Sequence, residues 1–115
     1  MKILETYVNL SCSIKIYVPS TINVDQPLDN SHWVNLSLSL LAEQFGGASA
    51  NIGIGAWISK TGELIKEPIT FVYAFCTKKQ LEKSIKLVRD FCLTMKNSLN
   101  QEAIAIESNG KLYLI

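Results

Sequence analysis

The sequence predicts an α+β fold, a ferredoxin-like βαββαβ sandwich in which two helices cover one face of an antiparallel sheet, with an additional C-terminal hairpin strand. Apolar residues alternate from Leu10 to Val18, which is typical of a half-buried strand. Two later segments repeat apolar residues at helical spacing, and strand-like alternation follows each of them. A chain of 115 residues is expected to form one domain, spanning 1–115, with its own core.

Local signals set the bounds of the first strand and the first helix. Pro19 ends the alternating segment, and Ile3–Val8 is expected either to extend that strand or to form a separate arm. The first helix is expected over 31–45, with Asn30 or Ser31 as its cap. The pair Gly46-Gly47 ends it, because glycine readily adopts the left-handed conformation that closes a helix.

A long hairpin is predicted in the middle of the chain. Alternation returns over Ala48–Ile58, the segment 59–63 (SKTGE) reads as a turn, and the second strand is strongest over Ile69–Cys76. Pro68 conflicts with a central strand, because proline cannot donate to the hydrogen-bond ladder. The Ala56–Lys66 part is therefore expected to project past the sheet, with Pro68 near a bulge.

The second helix has the clearest local signature. Thr77 and Gln80 have the spacing of a capping box, in which each residue's side chain accepts a hydrogen bond from the other's backbone N–H. Apolar residues then recur at intervals of four and three as far as Leu99. A final hairpin is predicted around Asn109-Gly110, a pair that suits a type I′ turn.

Composition narrows the function classes. The chain is 48% hydrophobic and 18% charged, and an apolar excess of this size favours burial in a dense core or at the interface of a homo-oligomer. The net charge is +1 with scattered basic residues, which argues against nucleic-acid binding. One lysine cluster on the second helix is expected to be a solvated face.

Several further classes are set aside on composition. The three cysteines lack metal-ligand spacing and lie in apolar patterns, so no metal and no cofactor is predicted. No apolar run is long enough to span a bilayer, which argues against a membrane protein. Glu5, Asn9 and Ser11 interrupt any signal-peptide core, and a cytoplasmic location is expected.

Five of the six glycines lie between Phe45 and Pro68. A phosphate-binding loop needs a helix that starts after the glycines, whereas these follow a helix end. Gly53 and Gly55 instead leave one face of a strand without side chains. Either a neighbouring aromatic, with Trp33 and Trp57 as the candidates, or a ligand or second subunit is expected to lie against that face.

The same region resembles the DUF3574 domain family. The likeness spans 33–106 and rests on the following residues: Trp33, Phe45-Gly46-Gly47, Gly55-x-Trp57, Gly62, Glu67-Pro68 and Gln101-Glu102. Lys66 departs from the arginine that the family tends to have. The resemblance implies a compact α+β fold with no established activity, and it points to Gly55, Trp57, Glu67 and Gln101 as positions to test, without roles.

Four side chains stand out as candidates for chemistry. His32, the only histidine, is most simply an exposed residue of the first helical turn. Glu67 precedes a proline in an apolar strand, so it is expected to be partly buried and to need a partner such as Gln101, Lys66 or Arg89. It would then be a structural residue held by that partner or, alternatively, a general base. Trp57 is a candidate wall of an aromatic pocket with Tyr73.

The residues favour a small, non-enzymatic binding module that is expected to be a homo-oligomer. Its glycine-rich hairpin and helix C-terminus are expected to border a groove. That groove would bind a small molecule, such as a nucleotide-like ligand, or a protein partner. The candidate ligand-binding residues are Gly53, Gly55, Trp57, Glu67, Gln101 and His32. Two alternatives remain open. One is a dimeric α+β-barrel enzyme with a cofactor-free cavity and Glu67 or His32 as base, and the other is a small sequestering or immune-antagonist protein.

Overall fold

A computed structural model of the chain describes residues 2–115. It contains two α-helices and seven strands, preceded by a short 3-10 helix at Lys2–Leu4. In chain order the elements are β1 (Cys12–Pro19), β2 (Thr21–Ile22), β3 (Gln26–Pro27), α1 (Ser31–Phe45), β4 (Ser49–Ile58), β5 (Leu64–Cys76), α2 (Lys78–Ser98), β6 (Ala105–Ser108) and β7 (Lys111–Leu114).

Five of the strands form one antiparallel sheet in the order β4-β5-β1-β6-β7, and the short strands β2 and β3 pair separately. The central strand β1 pairs with β5 on one side and with β6 on the other. Both helices pack on the same face of this sheet. The predicted α+β sandwich, with an antiparallel sheet, two helices on one face and a terminal hairpin strand, is confirmed.

The core lies between the helices and one face of the two central strands. Along β1 the burial alternates strictly, so that every second residue from Cys12 to Val18 is buried. The helices contribute Leu41 and Phe45 from α1 and a stripe from Val88 to Met95 from α2. The buried side chains of β1, which recur at every second residue, and those of α2, which recur at helical spacing, therefore form a single apolar layer, as their sequence patterns predict.

Local capping explains why the helices begin and end where they do. The capping box of α2 is present: Thr77 Oγ1 accepts a hydrogen bond from the Gln80 N–H at 3.1 Å, and Gln80 Oε1 accepts one from the Thr77 N–H at 2.8 Å. Helix α1 ends at Gly46, whose φ of 88° is left-handed. Asn109 and Gly110 both have positive φ, as a type I′ turn requires.

The β4–β5 hairpin extends beyond the end of β1. The strand β1 pairs with β5 only as far as Pro19, opposite Ile69, whereas β4 stays paired with β5 out to Ile58, opposite Leu64. The projection predicted from Pro68 is therefore confirmed. The predicted bulge is wrong, because the β4–β5 register runs without interruption.

Ser20 shows how the sheet accommodates a proline. Its hydroxyl donates a hydrogen bond to the Pro68 carbonyl. The nitrogen and carbonyl of one strand residue point to the same side, so the Pro68 nitrogen also faces away from β4. No strand lies on that side beyond Pro19, and no ladder hydrogen bond is lost.

Two apolar segments are less buried than their patterns suggest. The residues of Lys2–Ser11 are all exposed, so Ile3–Val8 does not extend β1 and forms the separate arm. Strand β4 alternates in sequence, yet Ile52 and Ile54 are 76% and 73% exposed, because β4 is an edge strand that the helices leave largely uncovered. Alternation predicted the strand correctly, but here it does not indicate a buried face.

Candidate functional site

The projecting hairpin forms one wall of an open groove of about 330 Å³, which we call the hairpin groove. Its lining residues are Ser20, Thr21, Asp25, Pro27, Leu28, Trp57, Ile65, Lys66, Glu67 and Pro68. The groove exists because β5 continues past β1, which leaves one side of its first residues without a strand neighbour. The segment between β1 and α1 folds back along that side and is held there by the hydrogen bond from Ser20 to Pro68.

Glu67 is the principal ionisable side chain of the hairpin groove. It lies opposite Gly55 in the β4–β5 register and is partly buried, and this burial raises the pKa of its carboxyl group. Among residues 2–115 no hydrogen bond or ion pair to this carboxylate is found. Of the partners expected from the sequence, Gln101 hydrogen-bonds to Thr21 and Arg89 to Asp90, and Lys66 forms no ion pair with it. Glu67 is therefore a partly desolvated carboxylate that is free to meet a ligand.

Trp57 and Glu67 lie on the same face of the hairpin. The register pairs Trp57 with Ile65 and Gly55 with Glu67, so the two side chains are diagonal neighbours across adjacent strands. Trp57 is 47% exposed, which leaves its indole ring available for stacking. Lys66 and Asp25 add one charge of each sign to the lining. The groove thus combines an aromatic surface with both carboxylate and ammonium groups.

Gln101 supports the groove from behind and does not line it. Its side-chain amide donates hydrogen bonds to the Thr21 carbonyl at 3.1 Å and to Thr21 Oγ1 at 3.3 Å. Thr21 is buried and lines the groove. The prediction that Gln101 pairs with Glu67 is wrong, because the amide is committed to a residue 80 positions away, a pairing that sequence spacing does not reveal.

The two strand glycines are covered by the chain's own side chains. A Cβ placed on Gly53 would overlap the Phe71 ring, and one on Gly55 would lie 2.6 Å from Ile69 Cδ1. An apolar side chain does lie against the bare strand, but it comes from the neighbouring strand β5 and not from Trp33 or Trp57. Gly53 and Gly55 therefore offer no free surface for a ligand on that face.

His32 and Tyr73 are not brought to the groove. His32 is exposed on the first turn of α1 and packs edge-to-face against Trp33, with ring centroids 5.5 Å apart. Tyr73 lies opposite Ser49, at the far end of the hairpin from Trp57. The predicted aromatic pocket of Trp57 and Tyr73 does not form, because Tyr73 lies eight positions along β5 from Ile65, the residue that faces Trp57.

The helix-free face of the sheet carries an aromatic cluster that the sequence patterns did not reveal. Tyr17 packs edge-to-face on Phe71 at 4.7 Å, and the Lys15 ammonium lies 5.6 Å from the Phe71 and Tyr73 ring centroids. The Tyr17 hydroxyl donates to Glu107 Oε1 at 2.8 Å, and this bond, burial and the carboxylate charge raise the Tyr17 pKa. These residues alternate with buried ones, so only the strand register brings them together.

Two larger grooves lie elsewhere. One, of about 540 Å³, is bordered by the end of α1, including Gly46 and Gly47, and by Tyr73 and Phe75 of β5. This groove at the helix C-terminus is separate from the hairpin groove, so the hairpin residues Trp57 and Glu67 and the end of α1 do not border one common groove. The other, of about 490 Å³, lies between α2 and the C-terminal hairpin and is mostly apolar.

The cysteines offer no nucleophile. All three are buried and free, and burial raises the pKa of Cys92 to about 12. Burial, together with nearby Cys12, also raises the pKa of Cys76. A thiol that stays protonated is a poor nucleophile. Within residues 2–115, no three His, Cys, Asp or Glu side chains cluster as a metal site would require, and none of the helices has both the length and the hydropathy to cross a membrane.

Comparison with known proteins finds similarity at the level of structure. No family model and no curated protein sequence matches the chain, so the resemblance to the DUF3574 family stays a prediction. A phage SAM lyase in complex with S-methyl-5'-thioadenosine (MTA) superposes with a TM-score of 0.65 at 15% identity, covering 97% of this chain and 94% of that one. A phage SAM lyase in its apo state gives 0.63 at 18% identity, covering 91% and 88%. The chain shares its α+β fold with these enzymes over nearly its whole length.

Proposed function

We propose that the protein binds an adenosine thioether or sulfonium of the MTA and SAM class in the hairpin groove and acts on it as a lyase. The observation that carries the proposal is Glu67, a partly buried carboxylate without an ion-pair partner, beside the half-exposed Trp57. The near-full-length similarity to SAM lyases, one of them with MTA bound, supports this ligand class. The size of the groove falls at the lower end of the range for small-molecule sites.

The lining of the groove suits the chemical parts of SAM. The indole ring of Trp57 would stack on the adenine, since a base presents a flat π-face to an aromatic side chain. The carboxylates of Glu67 and Asp25 would face the sulfonium and ammonium cations, and Lys66 would face the carboxylate. One aromatic, two acidic residues and one basic residue thus have counterparts in a single substrate.

The reaction would use Glu67 as its base. Release of MTA from SAM breaks the bond between the sulfur and the side-chain carbon, and the sulfur keeps the electron pair and becomes neutral. The carbon next to the one that sulfur leaves gives up a proton, which Glu67 accepts, and the electron pair of that C–H bond forms a carbon–carbon double bond in the departing amino-acid fragment. A carboxylate whose pKa is raised by burial is a stronger base than an ordinary one, and this favours the role.

The sequence patterns favour binding without catalysis, but the enzymatic alternative has the better support. Both similar structures are lyases. The closed cavity of the barrel alternative has no counterpart within one chain, since the grooves are open, and His32 lines none of them. Glu67 is the remaining candidate base.

Incubation of the purified protein with SAM, followed by chromatography and mass spectrometry, tests the proposal. We expect MTA to form and Glu67→Gln to reduce its release by about 100-fold or more. Glu63→Gln, on the exposed turn of the same hairpin, is the matched control and should keep full activity. Equal activity of wild type and Glu67→Gln would exclude Glu67 as the base.

Thermal unfolding with added ligand separates binding from catalysis. MTA is expected to raise the melting temperature, and Trp57→Ala should weaken MTA binding by about tenfold through loss of stacking. Tyr7→Ala removes an exposed aromatic residue outside the groove and should leave binding unchanged. Stabilisation by MTA without turnover of SAM would instead identify a non-enzymatic binding module, and the absence of both effects would contradict the proposal.

A further inference from the structure

Strand β4 forms an edge of the sheet and is unusually unprotected. It pairs only with β5, so along its ten residues the backbone groups that point away from β5 have no strand partner. On the helix side of the sheet Ile52, Ile54 and Ile58 are 76%, 73% and 64% exposed. A strand of this length is about 33 Å long. Strand β4 therefore presents an apolar edge whose outward backbone N–H and C=O groups have no strand partner.

Natural proteins protect such edges with charged residues, prolines, bulges or short strands, because an open edge pairs readily with another strand. None of these features occurs in β4. The segment from Ser49 to Ile58 contains no charged residue and no proline, and its register with β5 has no bulge. The other edge of the sheet follows the rule, since β7 has four residues and begins with Lys111. Only β4 lacks protection.

From this contrast we infer that the β4 edge pairs with the β4 edge of a second copy of the same chain, which continues the sheet from one protomer into the next. The charges favour this occupant. Strand β4 has no charged residue, so the β4 edges of two copies meet without the repulsion that like charges would cause. Homo-oligomers are the usual outcome of such self-complementary surfaces.

Pairing along β4 also relieves the apolar exposure of the hairpin. The exposed isoleucines of one copy would lie beside side chains of the adjoining strand, as in any antiparallel or parallel ladder. Main-chain hydrogen bonds would supply affinity, and the alternate side chains would set the register. The inference rests on the edge alone and is independent of the ligand proposed for the hairpin groove.

The test is the mass of the purified chain, measured by light scattering and native mass spectrometry across a dilution series. Wild type is expected at twice the 12.8 kDa of a single chain. Ile54→Lys places a charge in the middle of the edge and should give a folded single chain. Leu87→Lys is the matched control, because Leu87 is 47% exposed on α2, away from either edge, and its variant should keep the wild-type mass.

Circular dichroism establishes that each variant is folded, and Ile52→Lys replaces Ile54→Lys if the latter is not. A monomeric wild type, or a folded edge variant that keeps the wild-type mass, would overturn the inference. Loss of assembly in Leu87→Lys alone would do the same, since it would place the contact on the helices. Failure of SAM turnover would leave these outcomes unaffected.

Discussion

The ring of Phe71 lies directly over Gly53 on the neighbouring strand, in the space that a side chain at position 53 would fill. Phe71 is itself held by the edge-to-face contact with Tyr17, so the ring cannot move away freely. Gly53 is thus a packing residue of the helix-free face, because the space left by its missing side chain is filled by the ring of Phe71.

We expect Gly53→Ala to lower the free energy of unfolding by about 1–3 kcal/mol, because the added methyl group overlaps the Phe71 ring and forces the cluster to shift. Chemical denaturation measures this. Gly47→Ala is the control, since no heavy atom lies within 4 Å of its added Cβ. Equal stability of both variants would mean that the Phe71 ring is free to move.

Glu67→Gln is expected to stabilise the fold at neutral pH relative to wild type. Burial raises the pKa of Glu67 above its ordinary 4.5, so between these two values the folded state binds more protons than the unfolded state. Wild-type stability therefore falls as pH rises through that window, whereas glutamine cannot ionise. Melting temperatures of both proteins from below pH 4.5 to neutrality should diverge, by a small amount because the side chain is only partly buried. A constant difference across this range would contradict the burial of the carboxylate.

Tyr17→Phe should lower the free energy of unfolding by about 0.5–1 kcal/mol, because it removes the 2.8 Å hydrogen bond that joins β1 to Glu107 of β6. The Tyr17 pKa is raised above 10.0, so the contribution is fully present below pH 10 and is lost as pH rises through the raised value. Denaturation of wild type and variant at neutral and alkaline pH measures it. Tyr113→Phe, which alters a half-exposed phenol on β7, should have no comparable effect.

The native protein should resist thiol reagents. All three cysteines are buried, and burial raises the pKa of Cys92 to about 12, so the reactive thiolate is scarce and shielded. A chromogenic disulfide reagent at mildly alkaline pH is expected to modify no thiol in native protein and three in denaturant. Rapid modification of the folded chain would show that the core opens locally.

The sequence by itself determined those structural features that depend on interactions between residues close together along the chain. Thr77 and Gln80 are three residues apart, Gly46 needs only its own φ, and the alternation along β1 reflects a period of two that any half-buried strand shares. Such interactions form within one turn or one strand. The helix bounds and the α+β class follow from them.

The tertiary structure decided the candidate site, because the site depends on which strands are adjacent and in what register. Phe71 covers Gly53, Gln101 bonds Thr21, and Glu67 lines a groove that exists because β5 passes the end of β1. Each of these facts joins residues from different elements, and spacing along the chain carries no information about them. Residue types alone could identify Trp57 and Glu67 as candidate ligand-binding residues. Only the strand register shows that their side chains lie beside each other on the same face of the hairpin.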